Sequence, residues 1–485
     1  MSNHFDLSAA ARQEMIDNGF DPDFPRGTQE QLNAIKAKPA PSLSDGVRDL
    51  RNLLWSSIDN DTSRDLDQAE VAERVKDGIR VMVAVADVDS AVAKGTPIDH
   101  HASDQTATVY TGVRNFPMLP DELSTDLTSL NQDADRRAMV VEYVVAADGS
   151  ITAPSIYRAI VRNHAQLAYN ATGAWLEGKG DAPPKIAASI DLQAQLKLQS
   201  EAAITLCQAR QRHGALDFDR VETEVVPGPD HTVQELRERH RNLATRLIED
   251  FMIGANECMA RTLTAAGFSS IRRIVRTPER WQRIVELAGR YKQKLPGDPE
   301  SAALNEFLVH MRDADPVHYD DIALAVIKLM GPGEYVMVHP GHNDPGHFAL
   351  AVQDYTHSTA PNRRFADLVT QRLIKSVIDK QPTPYSDGDL NAIATNCTEK
   401  EGAARKVERR MEKRIAAVAL ANRVGQTFSG VITGVTPKGT FVRIFQPPAE
   451  GLLARGEEGV DVGDQVKVKL LSTDPRRGFL DFGRA

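Results

Sequence analysis

An acidic loop between two buried apolar segments constrains this chain more than any other feature. Asp59, Asp65 and Asp67 lie between an apolar run that ends at Trp55 and a buried-strand pattern over residues 79–88. Carboxylates this close raise one another's pKa, so crowding them at the edge of a hydrophobic core costs free energy. Hard divalent cations such as Mg²⁺ prefer oxygen ligands and remove that cost. The spacing indicates a metal site, with a solvated acidic turn as the alternative.

A second segment, far along the chain, carries two adjacent arginines. Arg363 and Arg364 follow Pro361, a residue that suits the first position of a helix, and apolar residues recur at helical spacing after them. The pattern predicts that both arginines lie in the first turn of a helix, where free N–H groups and the helix dipole favour an anion. Carboxylates that bind a metal and an arginine that stabilises developing negative charge together suit cleavage of a phosphate ester. The structural alternative is an arginine that only forms an ion pair.

Together the two segments resemble the catalytic domain of the ribonuclease II family of exoribonucleases. The resemblance runs from about Leu53 to Arg414. Further matching segments follow in the family's order, over residues 109–110, 116–124, 129–131, 135–139, 161–169 and 247–257. The resemblance implies an α+β fold class, with a catalytic sheet that is covered by helices.

Three domains are predicted along the chain. Residues 1–50 are predicted to form a helical segment of two short helices, the first from about Leu7 to Asn18 with Ser8 as its cap. A helical hairpin packed on the next domain is favoured there over a helix-turn-helix reader. Residues 51–422 form the catalytic domain, with strands to about residue 170 and mainly helices from about 190.

Residues 423–485 contain short alternating strands with glycine turns, which is typical of a small all-β barrel. The order of these segments resembles the OB-fold RNA-binding domain of the S-one type. Relatives similar to ribonuclease II itself carry two cold-shock OB domains before the catalytic domain. Asp59 lies too near the start of this sequence for such a domain, so we expect none.

The composition is that of a soluble globular protein, with 41% hydrophobic and 26% charged residues. No apolar run is long enough to span a membrane, and the first residues lack the pattern of a signal peptide. Cys207, Cys258 and Cys397 are odd in number and widely spaced, which suits a reducing compartment and argues against a zinc site. We expect a cytoplasmic monomer without membrane partners. The net charge of −9 does not exclude RNA, because binding depends on the local patch.

The resemblance implies stepwise hydrolysis of single-stranded RNA from its 3′ end, with release of nucleoside 5′-monophosphates. It implies that Asp59, Asp65 and Asp67 bind one or two Mg²⁺ ions, with Mn²⁺ as an alternative, and that Asp67 is the carboxylate most needed for cleavage. Arg363 corresponds to the arginine beside the scissile phosphate. Gln68 stands where many relatives have a fourth aspartate. That departure slightly favours the alternative function, a non-catalytic RNA-binding regulator with the same fold, whereas retention of the three aspartates and of Arg363 favours the exoribonuclease more.

The resemblance also implies a set of RNA-binding side chains. Aromatic rings suit this role because base stacking tolerates any sequence. Tyr110 corresponds to a tyrosine that stacks on the terminal base, and Phe428, like Phe441, is either a stacking residue or part of the barrel core. The full set of predicted RNA contacts is Tyr110, Phe218, Arg364, Glu408, Lys438, Phe441 and Arg443.

Overall fold

Two helices open the described part of the chain, as predicted. The computed structural model describes residues 5–38, 42–43, 45–218, 222–227, 233–239, 241–316, 318–342 and 346–485. The two helices are α1 (Leu7–Asp17) and α2 (Thr28–Lys36). The predicted cap is wrong: Asp6 rather than Ser8 caps α1, because its carboxylate accepts a hydrogen bond of 2.8 Å from the backbone N–H of Ala9.

A six-stranded mixed sheet lies at the centre of the fold, in the order β1-β8-β2-β3-β4-β7. The elements of this region are β1 (Val47–Asp49), β2 (Trp55–Asp59), β3 (Gln68–Val75), β4 (Gly78–Ala86), α3 (Pro97–Gln105), β5 (Val109–Tyr110), β6 (Asn115–Phe116), β7 (Asp135–Val145) and β8 (Ile151–Ala168). The prediction of helices alone before residue 50 is wrong at β1, which joins the sheet because it pairs in parallel with β8. The strands β7 and β8 form a hairpin, and Gly149 in its turn has a φ of +84°.

Helices cover the sheet, as the α+β fold class predicts. The elements that follow the sheet are α4 (Tyr169–Leu176), α5 (Pro184–Ala187), α6 (Ile190–Arg212), β9 (Glu222–Pro227), β10 (Val233–Arg239), α7 (Leu243–Ala265), β11 (Ser270–Ile274), α8 (Trp281–Arg290), α9 (Ser301–Ala314), α10 (Tyr319–Met330), β12 (Glu334–Val338), α11 (Phe365–Ile378) and α12 (Asp387–Ala419). The helix α7 packs one face into the core, since Leu247, Phe251 and Ala255 are buried at helical spacing. No helix in the described ranges is both long enough and apolar enough to cross a membrane.

The C-terminal residues form the predicted barrel. Its strands are β13 (Thr427–Thr436), β14 (Gly439–Ile444), β15 (Ala449–Arg455), β16 (Gln465–Asp474) and β17 (Phe479–Arg484), which close in the order β13-β14-β15-β17-β16. Phe428 belongs to the core of this barrel with an exposed fraction of 6%, so the hypothesis that it stacks on a base is wrong. Its strand position points it inward, because buried and exposed residues alternate along β13.

The helix α12 connects the sheet region to the barrel. It packs on β12 at one part of its length and on β15, β16 and β17 at another. The buried Glu14 of α1 accepts hydrogen bonds from Arg410 at 2.9 Å and Arg414 at 2.6 Å, both on α12. These ion pairs hold the N-terminal helix against α12. The sequence had predicted such a helical segment, packed on the catalytic domain.

Candidate active site

The acidic loop leaves the sheet at the end of β2 and re-enters it at the start of β3. Asp59 is the last residue of β2, and Asp67 directly precedes β3. Ser129 fixes the loop from the side: its Oγ accepts a hydrogen bond of 2.9 Å from the backbone N–H of Leu66 and donates one of 2.8 Å to the carbonyl of Arg64. The carboxylates are therefore positioned by buried strands and by a fixed loop, as a preorganised site requires.

The two arginines precede α11 instead of lying in its first turn, so the prediction that the helix begins at Pro361 is wrong. The helix begins at Phe365, because Arg364 adopts an extended backbone (φ −139°, ψ 126°) and pairs with Ala107 in an isolated bridge. The carbonyl of Ala360 accepts hydrogen bonds from the N–H groups of Arg363 and Arg364, which form a tight turn. This turn, rather than a helix start, presents the arginines.

The arginine turn and the acidic loop meet at Asp67. Its Oδ1 accepts a hydrogen bond of 2.9 Å from the backbone N–H of Asn362, and its Oδ2 accepts one of 3.2 Å from Nε of Arg363. Asp67 is 1% exposed, whereas the side chain of Arg363 is 42% exposed. Arg363 therefore reaches from a buried carboxylate towards open space. Arg364 instead makes a bidentate contact with the buried Asp367, at 2.8 and 2.7 Å.

A cavity of about 380 Å³ lies where these segments meet. Its charged and aromatic lining includes Asp59, Asp65, Asp67, Tyr110 and Arg363, which the sequence predicted as site residues. The hydroxyl of Tyr110 donates a hydrogen bond of 2.8 Å to Oδ2 of Asp65. Side chains from three segments that are remote in sequence thus line one cavity: the acidic loop, Tyr110 and Arg363.

Burial shifts the titration of the two innermost carboxylates. It raises the pKa of Asp59 to about 6 and that of Asp67 to about 7, while the positive charge of Arg363 acts in the opposite direction on both. A carboxylate with a pKa near neutrality holds its proton only weakly at physiological pH. Protons and a cation would therefore compete for the same oxygens.

The raised pKa of Asp67 predicts how the stability of the protein without metal depends on pH. The unfolded chain releases this proton near its usual pKa of about 3.9, whereas the folded chain keeps it until about pH 7. Stability is therefore lost as pH rises between these values. In EDTA, the melting temperature of wild type should fall as the pH rises from 5 to 7.5. The melting temperature of Asp67→Asn should fall less steeply over the same range. Equal slopes in thermal melts would show that Asp67 does not titrate in this range.

The donor set fits a hard divalent cation. Asp59, Asp65 and Asp67 supply carboxylate oxygens, which Mg²⁺ and Mn²⁺ prefer. Oδ1 of Asp59 accepts a hydrogen bond of 3.2 Å from Nε2 of Gln68. Oδ2 of Asp59 is buried and has no hydrogen-bond partner among the described residues. Among the described residues, no group of three Asp, Glu, His or Cys side chains lies as close together as the ligands of a bound metal ion.

A second cavity, of about 220 Å³, adjoins the first through Tyr110 and Arg363. Glu408 of α12 lies on its wall, and its Oε1 accepts a hydrogen bond of 3.3 Å from the backbone N–H of Tyr110. The sequence analysis missed Tyr335 and His357, which also line it and which share a hydrogen bond of 2.8 Å. Burial lowers the pKa of His357 well below its usual value, so the ring is neutral. The only feature of the sequence that pointed to this pair was the position of His357 in the segment that contains the two arginines.

Other predicted RNA contacts lie outside these two cavities. Phe218 packs against the hydrophobic cluster of α8, α9 and α10, which contains Trp281. In the barrel, Lys438 is exposed in the turn before β14, Phe441 is half-buried, and Arg443 lies 3.6 Å from the carboxylate of Asp321. The structure thus brings together Tyr110, Arg364 and Glu408, but not Phe218 or the barrel residues.

The chain matches two protein-family models. The RNB domain model matches residues 47–380, and the model of the RNase II-type exonuclease C-terminal S1 domain matches residues 426–485. The chain belongs to the RNB-domain family. The resemblance seen in the sequence is confirmed, and the acidic loop and the arginine turn both lie within the RNB domain match. Glu408 lies between the two matches, on α12.

Curated relatives of this RNB-domain protein are named as ribonucleases. Ribonuclease R 1 of Lactococcus lactis subsp. lactis is 28% identical over 494 residues, which cover 95% of this chain and 59% of the relative. Ribonuclease R of Escherichia coli (strain K12) is 29% identical over 446 residues, which cover 89% of this chain and 54% of the relative. The chain therefore spans between 54% and 59% of the length of these two relatives.

Solved structures share the RNB fold over nearly all of the chain. The apo form of Mycoplasma genitalium RNase R superposes with a TM-score of 0.85 at 24% identity, and the match covers 100% of this chain and 79% of that one. Yeast Ssd1, described as a pseudonuclease, superposes with a TM-score of 0.70 at 17% identity, and the match covers 96% of this chain and 57% of that one. At these identities the likeness concerns the fold alone.

Proposed function

We propose that this RNB-domain protein hydrolyses single-stranded RNA from the 3′ end and releases nucleoside 5′-monophosphates. One observation carries the proposal: Asp67 lies between the backbone N–H of Asn362 and Nε of Arg363, at a cavity that two more carboxylates line. A carboxylate cluster suits a metal, and an arginine suits a phosphate. Their direct contact supports a single reacting centre that uses both kinds of group.

Each of the site residues has a role in this proposal. Asp59, Asp65 and Asp67 would hold one or two divalent cations. When bound, such an ion lowers the pKa of a water molecule and neutralises charge on the phosphate. Arg363 stabilises the charge that develops on the phosphate oxygens, because its partly exposed side chain lines the cavity beside Asp67. The fixed loop and turn place these groups before the substrate arrives.

Tyr110 and Glu408 would hold the last nucleotide. The ring of Tyr110 borders both cavities, and its hydroxyl is held by Asp65. Stacking of a base on such a ring contributes roughly 1–3 kcal/mol and tolerates any sequence. Phe218 stays a proposal for a contact farther along the strand. Arg364 stays a proposal for a contact with a phosphate next to the scissile one, with support of the helix α11 through Asp367 as the alternative. The hydrogen bond between Glu408 and the backbone N–H of Tyr110 supports a position of Glu408 near the last nucleotide.

The similar proteins support the same substrate. Mycoplasma genitalium RNase R has been solved in complex with ribose methylated single-stranded RNA and with double-stranded RNA. We propose single-stranded RNA as the substrate here, Mg²⁺ as the ion with Mn²⁺ as an alternative, and a monomer in the cytoplasm. The acidic oxygen donors of Asp59, Asp65 and Asp67 suit both of these ions.

Gln68 supports a second candidate function, a non-catalytic RNA-binding regulator. Its amide donates a hydrogen bond to Asp59 and carries no charge. The same fold occurs in yeast Ssd1, which is described as a pseudonuclease, so the fold does not decide between the two functions. Only a test of whether the site cleaves RNA can distinguish the exoribonuclease from the regulator.

A labelled RNA separates the two functions. With 5′-end-labelled single-stranded RNA and Mg²⁺, the exoribonuclease should shorten the strand progressively, and EDTA should stop the reaction. The regulator should bind the RNA without shortening it in either condition. Intact RNA with Mg²⁺ and with Mn²⁺, at protein concentrations that saturate binding, would refute the proposed activity.

The ring and the hydroxyl of Tyr110 can be tested separately. Tyr110→Ala should lengthen the final undigested fragment or blur its size, because the terminal nucleotide loses its stacking surface. Tyr110→Phe keeps the ring and removes only the hydrogen bond to Asp65, so it should leave the fragment size unchanged. The lengths of the final fragments from both variants and from wild type are compared on a sequencing gel. A wild-type pattern from Tyr110→Ala would remove the ring from substrate positioning.

The barrel predictions can be tested on the whole chain. Lys438→Ala should weaken RNA binding and reduce the slope of log affinity against log salt by about 1, because one phosphate contact is lost. Phe441→Ala should weaken binding without changing that slope, because stacking is not electrostatic. Fluorescence anisotropy in EDTA at several salt concentrations measures both. Wild-type affinity and slope in both variants would mean that this face of the barrel does not bind RNA.

A further inference from the structure

Glu70 is a fully buried carboxylate that the proposed mechanism does not use. It lies on β3, where it pairs with Ser56 of β2 and Val83 of β4. Its exposed fraction is 0%. Neither of its carboxylate oxygens has a hydrogen-bond partner in the part of the chain that the structure describes. The interior of this sheet is otherwise mainly apolar.

Such a side chain is costly in the absence of a ligand. A buried carboxylate without a partner loses its hydration and gains nothing in exchange, which costs several kcal/mol in folded proteins. Asp367 is equally buried, but Arg364 and the N–H of Ala360 satisfy it. Buried polar groups without partners are uncommon, and a bound ion or water molecule is among the explanations for them. Glu70 therefore requires an explanation that Asp367 does not.

Glu70 is a neighbour of the carboxylate site on the strand β3. Residues two apart on a strand share a face, so Glu70 lies on the same side of β3 as Gln68, which lines the cavity and hydrogen-bonds to Asp59. The charge of Asp59 adds to burial in raising the pKa of Glu70, so the two carboxylates are electrostatic neighbours. Oδ2 of Asp59 is likewise buried and unpartnered among the described residues. Three carboxylate oxygens without partners thus belong to two neighbouring side chains.

We propose that Glu70 is a further carboxylate of the cation site and supplies the negative charge that the neutral Gln68 does not. The inference rests on the proposed metal-dependent function. A divalent cation near Asp59 would displace the proton that burial favours on Glu70 and would remove the repulsion between the two carboxylates. Glu70 is thus a positioning residue for the ion, because it does not line the cavity that would admit RNA.

Binding of Mn²⁺ to the full-length protein tests this role without RNA cleavage. After removal of metal, wild type, Glu70→Gln and Glu73→Gln are titrated with Mn²⁺ and followed by electron paramagnetic resonance. Glu70→Gln should weaken Mn²⁺ binding by about 10-fold or more, in the range of residues that support metal ligands. Glu73 is exposed on the same strand and pairs with Arg80, so Glu73→Gln should bind Mn²⁺ like wild type.

A second change tests whether charge is the cause. Adding Gln68→Asp to Glu70→Gln moves the carboxylate to a position that already contacts Asp59, so it should restore most of the lost affinity. Glu70→Leu suits an apolar interior and should fold, bind Mn²⁺ as weakly as Glu70→Gln, and melt no lower than wild type in EDTA. A structural role would instead lower the melting temperature in EDTA and would not be rescued by Gln68→Asp.

The outcomes separate this inference from the proposed function. Wild-type Mn²⁺ affinity in both Glu70→Gln and Glu70→Leu would overturn the role of Glu70, and so would lost affinity that Gln68→Asp fails to restore. If wild type binds Mn²⁺ and Asp67→Asn does not, the proposed cation site stands in either case. Absence of Mn²⁺ binding in wild type itself would overturn the metal-dependent function, and the role of Glu70 with it.

Discussion

Replacing Asp67 with asparagine should lower the rate of RNA cleavage by about 10³-fold, which corresponds to about 4 kcal/mol of transition-state stabilisation. Asparagine keeps the size of the side chain and can still accept the hydrogen bond from the N–H of Asn362. It removes the charge that would hold a cation and that pairs with Arg363. The affinity for RNA in EDTA should stay close to that of wild type, because Asp67 is only 1% exposed and offers little surface for a direct contact with RNA.

Asp61→Asn provides the matched control for this variant. Asp61 belongs to the same acidic loop but is exposed to solvent. The control should therefore cleave RNA at the wild-type rate. Single-turnover cleavage and fluorescence anisotropy give rate and affinity separately. A loss of binding as large as the loss of cleavage in Asp67→Asn would contradict a role in the chemical step.

Replacing Arg363 with alanine should lower the rate of cleavage by about 10²–10³-fold, which corresponds to about 2.7–4 kcal/mol for one group that stabilises developing charge. Its effect on the affinity for RNA should be much smaller. The variant should also change the pH dependence of cleavage. Because the charge of Arg363 opposes the effect of burial on Asp67, its removal raises the pKa of Asp67, and the acidic limb of the pH–rate profile should move to higher pH.

Arg64→Ala is the control for the lost positive charge. Arg64 lies in the acidic loop beside Asp65, and its side chain is exposed. It should show a wild-type rate and an unchanged pH profile, since only its backbone carbonyl contacts Ser129. An unchanged rate in Arg363→Ala would exclude Arg363 from the mechanism. A lower rate with an unshifted pH profile would mean that Arg363 acts on the phosphate without influencing Asp67.

The sequence predicted the carboxylates and the arginine because each group lies in a short segment with a distinctive spacing. It also predicted the central strands and the barrel, since alternation of apolar residues reports burial directly. The start of α11 could not be predicted in this way. Pro361 suits a helix start, but the pairing of Arg364 with Ala107, a contact remote in sequence, keeps the backbone extended. Tertiary pairing outweighed local preference there.

Other parts of the site depend on contacts that no local pattern contains. Tyr335 reaches the second cavity from β12, a strand without a recognisable motif, and its partner His357 gave a signal only through its position near Arg363. Phe428 could be assigned to the core only when the barrel was seen to close around it. Glu70 looks like an ordinary polar residue of an alternating strand, and its burial follows from the helices that cover β3.

The most direct test of the proposed function compares linear and circular RNA of the same sequence with Mg²⁺. An enzyme that begins at a 3′ end should release nucleoside 5′-monophosphates from the linear RNA from the first turnovers and leave the circular RNA intact. Asp67→Asn, prepared in the same way, should release none, which excludes a contaminating nuclease. Chromatography of the products identifies the phosphate position. Cleavage of the circle at the rate of the linear strand, or products that carry a 3′-phosphate, would contradict the account.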